Sequence, residues 1–204
     1  MLSASGLACV RGDRRLFSDV AFSLSAGEWL HVEGENGAGK TSLLRIVAGL
    51  LHAAEGEIRW GGQPVDDIRD EYHAALLYLG HAPAIKEDMT PLENLFTSAS
   101  VAGRSLADAD AFGALRRIGL KGREEIPSRF LSQGQKRRVA LARLLVSGAK
   151  LWVLDEPFVA LDVAAVAMLG GLIGEHLEQG GMALLTSHQE MKLSGRARTL
   201  RLGK

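Results

Sequence analysis

The sequence predicts an α/β fold with a mostly parallel sheet into which a group of helices is inserted. Three observations carry this. Strand-like and helix-like runs alternate in both flanks of the chain, a glycine-rich loop ending in Lys-Thr joins one strand to one helix, and the stretch between the flanks has helical periodicity with few β-branched residues. The 204 residues are about 1.4 times a typical domain of ~150, so one domain with an insertion is expected rather than two.

In chain order, Ser18–Leu24 alternates as a strand does, and Trp29–Val32 is an apolar run ending at the glycine-rich turn. After the turn, Leu43, Leu44, Val47, Ala48, Leu50 and Leu51 fall at helical spacing. Gly56–Gly62 reads as a strand entering a tight hairpin. The zone from about Pro91 to Arg129 is helical, with Leu106, Phe112, Leu115 and Ile118 on one period. Lys150–Leu154 then reads as an apolar strand, Val163–Leu177 as an apolar helix, Met182–Thr186 as a second strand and Thr199–Leu202 as a last one.

Composition narrows the function classes. With 24 Lys+Arg against 24 Asp+Glu the formal net charge is zero, which argues against a broadly basic nucleic-acid binder without excluding a local patch. The 47% hydrophobic content supports a packed core. Cys9 is the single cysteine and no Cys/His metal spacing occurs, so neither a disulfide scaffold nor a zinc module is expected. No stretch free of charged residues approaches the ~20 needed to cross a bilayer. The N-terminal MLSASGLACV lacks a basic region and is broken by Ser and Gly, so it does not read as a signal peptide. A soluble intracellular protein, not itself a membrane pore, is the expectation.

Gly34-Glu35-Asn36-Gly37-Ala38-Gly39-Lys40-Thr41 fits GxxxxGK[ST] in the required strand–loop–helix setting. Such a loop turns backbone N–H groups inward, and the helix that follows adds the positive end of its dipole. Lys40 offers a charge to the β- and γ-phosphates, the Thr41 hydroxyl can ligate Mg²⁺, and Ser42 continues the same turn. A nucleoside triphosphate site follows. Further on, Leu151–Leu154 ends in Asp155 and Glu156, which a buried strand would carry to the sheet edge where α/β folds bind ligands. Strand alternation would turn these carboxylates opposite ways, Asp155 supporting Mg²⁺ and Glu156 deprotonating the attacking water.

Between these motifs stands Leu131-Ser132-Gln133-Gly134-Gln135. With the glycine loop and the acidic strand end, this run is similar to the signature motif of the ATP-binding-cassette (ABC) ATPases. Ala160-Leu161-Asp162 resembles that family's D-loop and Thr186-Ser187-His188 its switch-histidine loop, so the resemblance spans essentially the whole chain. It implies a P-loop NTPase core of about residues 1–80 and 150–204, with an antiparallel β subdomain and an inserted helical signature subdomain at 91–145, all within one domain, 1–204. It implies that ATP and Mg²⁺ are bound, and that Ser132, Gly134 and Gln135 contact the γ-phosphate held by a second copy. His188 would bind the γ-phosphate and Asp162 would lie at the shared site. For Lys136, Arg137 and Arg138 a solvated helix face is expected. His31, His52, His73 and His176 receive no role.

Two places depart from the family pattern. Arg11 stands where an aromatic residue often stacks on adenine, and a guanidinium can stack on a base as well. The segment Leu79–Lys86 has no glutamine where the family's Q-loop has one. There His81 has two open readings, a metal contact through a water or a plain loop residue.

Residues Ala26–Trp29, Tyr78–His81 and Pro91–Leu95, the run from Leu131 to Leu144, and Trp152 within the acidic strand narrow the resemblance. Together they are similar to the ATP-binding subunits of haem exporters in bacterial cytochrome c maturation. That implies a homodimer on the cytoplasmic face of the bacterial inner membrane, bound to integral membrane subunits and driving release of a haem-loaded chaperone. No direct haem site and no nucleic-acid partner are expected on this chain. The alternatives are an ABC transporter of another substrate, a soluble phosphotransferase, for which no acceptor-positioning residue is seen near Thr41, and an ATP-dependent dimerisation switch, against which Glu156 argues.

Overall fold

The computed structural model describes residues 1–187 and 193–203. They form two compact units, one of Met1–Tyr78, Ala149–Pro157 and Gly170–Lys204, the other of Leu79–Gly148 and Phe158–Leu169.

In chain order the first unit contributes β1 (Leu2–Arg11), β2 (Arg14–Leu24), β3 (Glu28–Glu33), α1 (Lys40–Val47), β4 (Glu55–Trp60), β5 (Gln63–Pro64), α2 (Arg69–Ala75) and β6 (Leu76–Leu79). After the second unit's helices come β7 (Leu151–Leu154), β8 (Met182–Thr186) and β9 (Arg196–Arg201). One sheet runs β2-β1-β4-β5 with antiparallel pairing, the other β6-β7-β8-β3-β9 with β7, β8, β3 and β9 parallel. A single apolar cluster joins Leu7 and Phe17 of the first sheet, Leu43 and Val47 of α1, and Leu30, Val153 and Leu184 of the second. β7 and β8 are buried at every position, as a parallel sheet covered on both faces requires.

Local chemistry sets the element ends. α1 stops at Val47, earlier than the apolar spacing through Leu51 predicts. Gly49 takes φ 70°, its N–H reaches Ile46 O at 3.0 Å and that of Leu50 reaches Arg45 O at 2.8 Å, a Schellman stop that leaves Leu50 61% exposed. Tyr72 anchors α2, donating its hydroxyl to Val47 O at 2.6 Å from a site whose burial raises its pKa well above the usual phenol value.

The second unit is helical: α3 (Pro91–Val101), α4 (Asp108–Arg117), a 3-10 turn at Ser128–Phe130 and α5 (Gln133–Val146). α3 opens with Pro91 and a reciprocal capping box, in which Thr90 Oγ1 accepts from Glu93 N while Glu93 Oε2 accepts from Thr90 N. Those hydrogen bonds hold the Glu93 carboxyl below its usual pKa. α4 places Asp108 and Asp110 in its first turn and Arg116 and Arg117 in its last, matching the helix dipole. Leu95, Leu115, Ile118 and Leu141 are wholly buried. α6 (Val163–Glu178) has residues in both units. Among the described residues no helix is long and apolar enough to cross a membrane.

Candidate nucleotide site

β3 lies between β8 and β9 and delivers the chain into the loop 34–39. Gly34, Gly37 and Gly39 have φ values of 148°, 83° and 99°, a region where side chains are strained. Space is equally restrictive. A Cβ on Gly34 would stand 2.5 Å from Leu202 O, and one on Gly39 would stand 2.9 Å from Phe17 Cδ1.

Gly39 is the N-cap of α1, so the helix opens with no side-chain cap and no acid in its first turn. The first intrahelical bond is Leu43 N to Gly39 O, at 2.8 Å. The N–H groups of Lys40, Thr41 and Ser42 precede it and are placed for an anion. Lys40 Nζ donates to Gly34 O at 2.7 Å and Glu35 O at 3.2 Å, folding the ammonium over its own loop. Glu35, Asn36 and Gly37 are exposed along the same loop and Ala38 is half-buried. An acid-free helix start, the amides of its first turn and one cation are the donor set that a triphosphate needs. The residues fit that group.

The acidic strand end meets this loop. Thr41 Oγ1 donates to Asp155 Oδ1 at 3.2 Å, and Thr186 Oγ1, at the last position of β8, donates to the same oxygen at 3.0 Å. Thr186 Oγ1 in turn accepts from Glu156 N at 2.9 Å. Asp155 and Thr186 are 2% and 0% exposed. The hydroxyl of Thr41 beside a buried carboxylate is a hard-oxygen pair that suits a cation such as Mg²⁺. The alternation argument for Asp155 and Glu156 is corrected here. β7 ends at Leu154, and Glu156 has φ 51°, so a left-handed turn rather than the strand pleat sets its direction.

Arg11 ends β1 opposite Arg14 at an exposed hairpin tip. His188 lies outside the described residues. The strand before it is tied to β3 by His31, whose Nε2 lies 3.2 Å from Ser187 O; nothing in the spacing of His31 signalled this. His176 also received no role from the sequence, yet its ring stacks on Trp152 with centroids 3.8 Å apart.

The second unit carries the signature. Ser132 caps α5 in a capping box, its Oγ accepting from Gln135 N at 3.2 Å while Gln135 Oε1 accepts from Ser132 N at 2.9 Å. A Cβ on Gly134 would lie 3.3 Å from Ala160 O, so the Ala160 carbonyl approaches the helix start closely. Asp162 accepts from Ala165 N at 2.8 Å, which makes it a cap of α6, and also from Arg138 at 2.7 Å.

The solvated face expected for Lys136 and Arg137 is wrong. They are 7% and 4% exposed. Lys136 Nζ pairs with Glu87 at 2.6 Å, and Arg137 Nη1 donates to Gly80 O and His81 O, each at 3.0 Å. The side chain of His81 is exposed. The charge run signalled water because sequence shows charge and not the carbonyls that await it.

Comparison with known proteins agrees with this arrangement. The family model described as ABC transporter matches residues 17–159. The chain is 55% identical over 204 residues, all of both chains, to the cytochrome c biogenesis ATP-binding export protein CcmA of Dechloromonas aromatica. Among solved structures it is similar to the ATP-binding subunit of an ABC transporter, with TM-score 0.81, 27% identity and coverage of 92% of this chain and 79% of that one. It shares its fold with a dimeric, post-hydrolysis ATP-binding cassette bound to ADP and Pi, with TM-score 0.82, 21% identity and coverage of 93% and 88%.

Proposed function

From a chain that belongs to the ABC transporter family, as a relative of the cytochrome c biogenesis ATP-binding export proteins, we propose a specific motor: the ATP-hydrolysing subunit of the cytochrome c maturation, haem-exporting membrane complex. The observation that carries the reading is the meeting of Thr41 and Asp155 at 3.2 Å, which joins the end of the glycine-rich loop to a buried carboxylate.

In this reading Lys40 leaves the carbonyls of Gly34 and Glu35 for the β- and γ-phosphates, while the N–H groups of 40–42 hold the remaining oxygens. Thr41 and Asp155 hold Mg²⁺, whose charge offsets that of the phosphates when it is bound. Glu156 orients water and takes its proton as the water oxygen bonds to the γ-phosphorus and the bond to the bridging oxygen breaks, giving ADP and phosphate. His188 and Asp162 act at the same centre, Arg11 covers the base, and His81 keeps its two readings.

Ser132, Gly134 and Gln135 of a second copy complete the site. The α5 amide end, already capped by Ser132, meets the γ-phosphate as a second anion site. Because each copy has one loop and one signature, closure around two ATP molecules is part of the cycle. We further propose that the homodimer sits peripherally on the cytoplasmic face of the inner membrane, passing closure to integral subunits that handle the haem-loaded chaperone.

Glu156→Gln tests the chemistry. It should bind ATP, lose at least about 100-fold in turnover, and accumulate a dimer visible by size-exclusion chromatography in MgATP. Turnover at the wild-type rate would remove Glu156 as the base.

A further inference from the structure

β8 is the strand between β7, which leads to the acidic pair, and β3, which leads to the phosphate loop. Its sequence is Met-Ala-Leu-Leu-Thr, every position buried. A hydroxyl at the end of such a strand is costly if unsatisfied, and Val would fill the space without that risk. What the hydroxyl touches is therefore informative.

Thr186 pairs in register with Val32, two residues before Gly34, and the neighbouring row joins Leu185 to Leu154, one residue before Asp155. From that place Thr186 Oγ1 donates to Asp155 Oδ1 at 3.0 Å and accepts from Glu156 N at 2.9 Å. One side chain thus holds the carboxylate of one acid and the backbone of the next.

The second bond matters more. Glu156 has φ 51°, a left-handed conformation that is strained for a non-glycine residue and persists only where surroundings fix it. The hydrogen bond to Thr186 fixes the peptide on which that turn begins. With it gone, the 155–156 peptide can relax and carry the Glu156 carboxylate away from its aim.

We infer that Thr186 is a positioning residue for hydrolysis, holding the strained Glu156 turn and the Asp155 carboxylate in one geometry; this rests on the assignment of Glu156 as the base. Its hydroxyl is engaged by Asp155 Oδ1 and Glu156 N and acts through those two residues, so its effect belongs in kcat. Residues that support a site through a hydrogen bond are commonly worth 10–100-fold in activity.

The test compares Thr186→Val, Thr186→Ser and Glu156→Gln in steady-state ATP hydrolysis, alongside thermal unfolding and MgATP affinity. Thr186→Val should lose about 10–100-fold in kcat with KM for ATP changed by less than about threefold, while Thr186→Ser, which keeps both bonds, should recover most of the loss. If Thr186→Val does not fold, Thr186→Ala carries the same expectation. The proposal is overturned if the Val variant turns over at the wild-type rate while Glu156→Gln is inactive, a result that leaves the base assignment intact. It is overturned too if Val and Ser variants lose kcat equally, in step with their unfolding temperatures, since that pattern is structural. Wild-type turnover by Glu156→Gln would instead sink the underlying base assignment, and this proposal with it.

Discussion

His176 lies near the end of α6, its ring stacked 3.8 Å from that of Trp152 with the planes inclined by 4° and its Nε2 3.2 Å from Met182 O. Burial lowers its pKa below the usual 6.5, against a smaller opposing pull from the Met182 and Lys150 backbone. The folded chain therefore favours neutral imidazole more than the unfolded chain does. Above pH 6.5 both states are neutral and the contribution to stability is complete; as pH falls beneath that value the unfolded chain takes up the proton first, and stability is lost. His176→Phe keeps a flat ring on Trp152 without a titrating group. Its unfolding midpoint should fall less than the wild type's between about pH 7.5 and pH 5.5; equal falls would show that His176 does not set the slope. Single residues of this kind were hard to read in advance. A lone histidine has no pattern, whereas Gly34, Gly39, Lys40 and Thr41 declare themselves because phosphate chemistry demands those types at that spacing. Thr186 shows the same blindness: its hydroxyl matters only through Asp155 and Glu156, which lie some thirty positions earlier.

At the scale of elements, α5 is the most revealing. Its first two turns send Lys136 to Glu87, Arg137 to the carbonyls of Gly80 and His81, and Arg138 to Asp162, so the start of the signature helix is tied to two loops of its unit. Arg137→Met would preserve the aliphatic packing and strip two carbonyls of their donor. We expect a loss of about 1–3 kcal/mol in urea unfolding and faster proteolysis after Lys86, with ATP affinity of the phosphate loop unchanged. An unaltered cleavage rate would mean that the 80–86 segment is held by other contacts. The elements themselves were legible where their periods are clean, as in β8, α3 and α6. β1 was not, because Gly6 at φ 60° and register shifts between Ala4, Leu7 and Cys9 break its alternation. The short α2 and β6 escaped because seven and four residues give no readable period. β9 was seen only from Thr199, since its first residues, Arg196-Ala197-Arg198, are exposed and lack an apolar face.

For the whole molecule, the proposed dimer gives each chain two half-sites of different kinds. The α1 start is bare of side-chain caps and acids, while the α5 start already carries its own capping box. On that proposal the first takes an anion alone, while the second, one of whose amides is already bonded to Ser132, would meet phosphate oxygens that another copy holds. Such a dimer would be symmetric, the loop of each chain facing the signature of its partner. This arrangement makes a prediction that no single-chain ATPase would satisfy. Lys40→Ala removes the loop cation and Ser132→Arg blocks the helix start, so each variant alone should be nearly inactive, with both composite sites of its homodimer damaged. In a mixed dimer both lesions fall in one composite site, and the other joins an intact loop to an intact signature. Equal mixing makes half the dimers mixed, each with one good site of two, so hydrolysis should return to about a quarter of the wild-type rate if the sites act independently. A recovery well below that, with mixed dimers present by crosslinking, would mean that both sites must fire together. No recovery at all, with the mixed dimers equally present and binding ATP, would show that loop and signature do not meet across the interface.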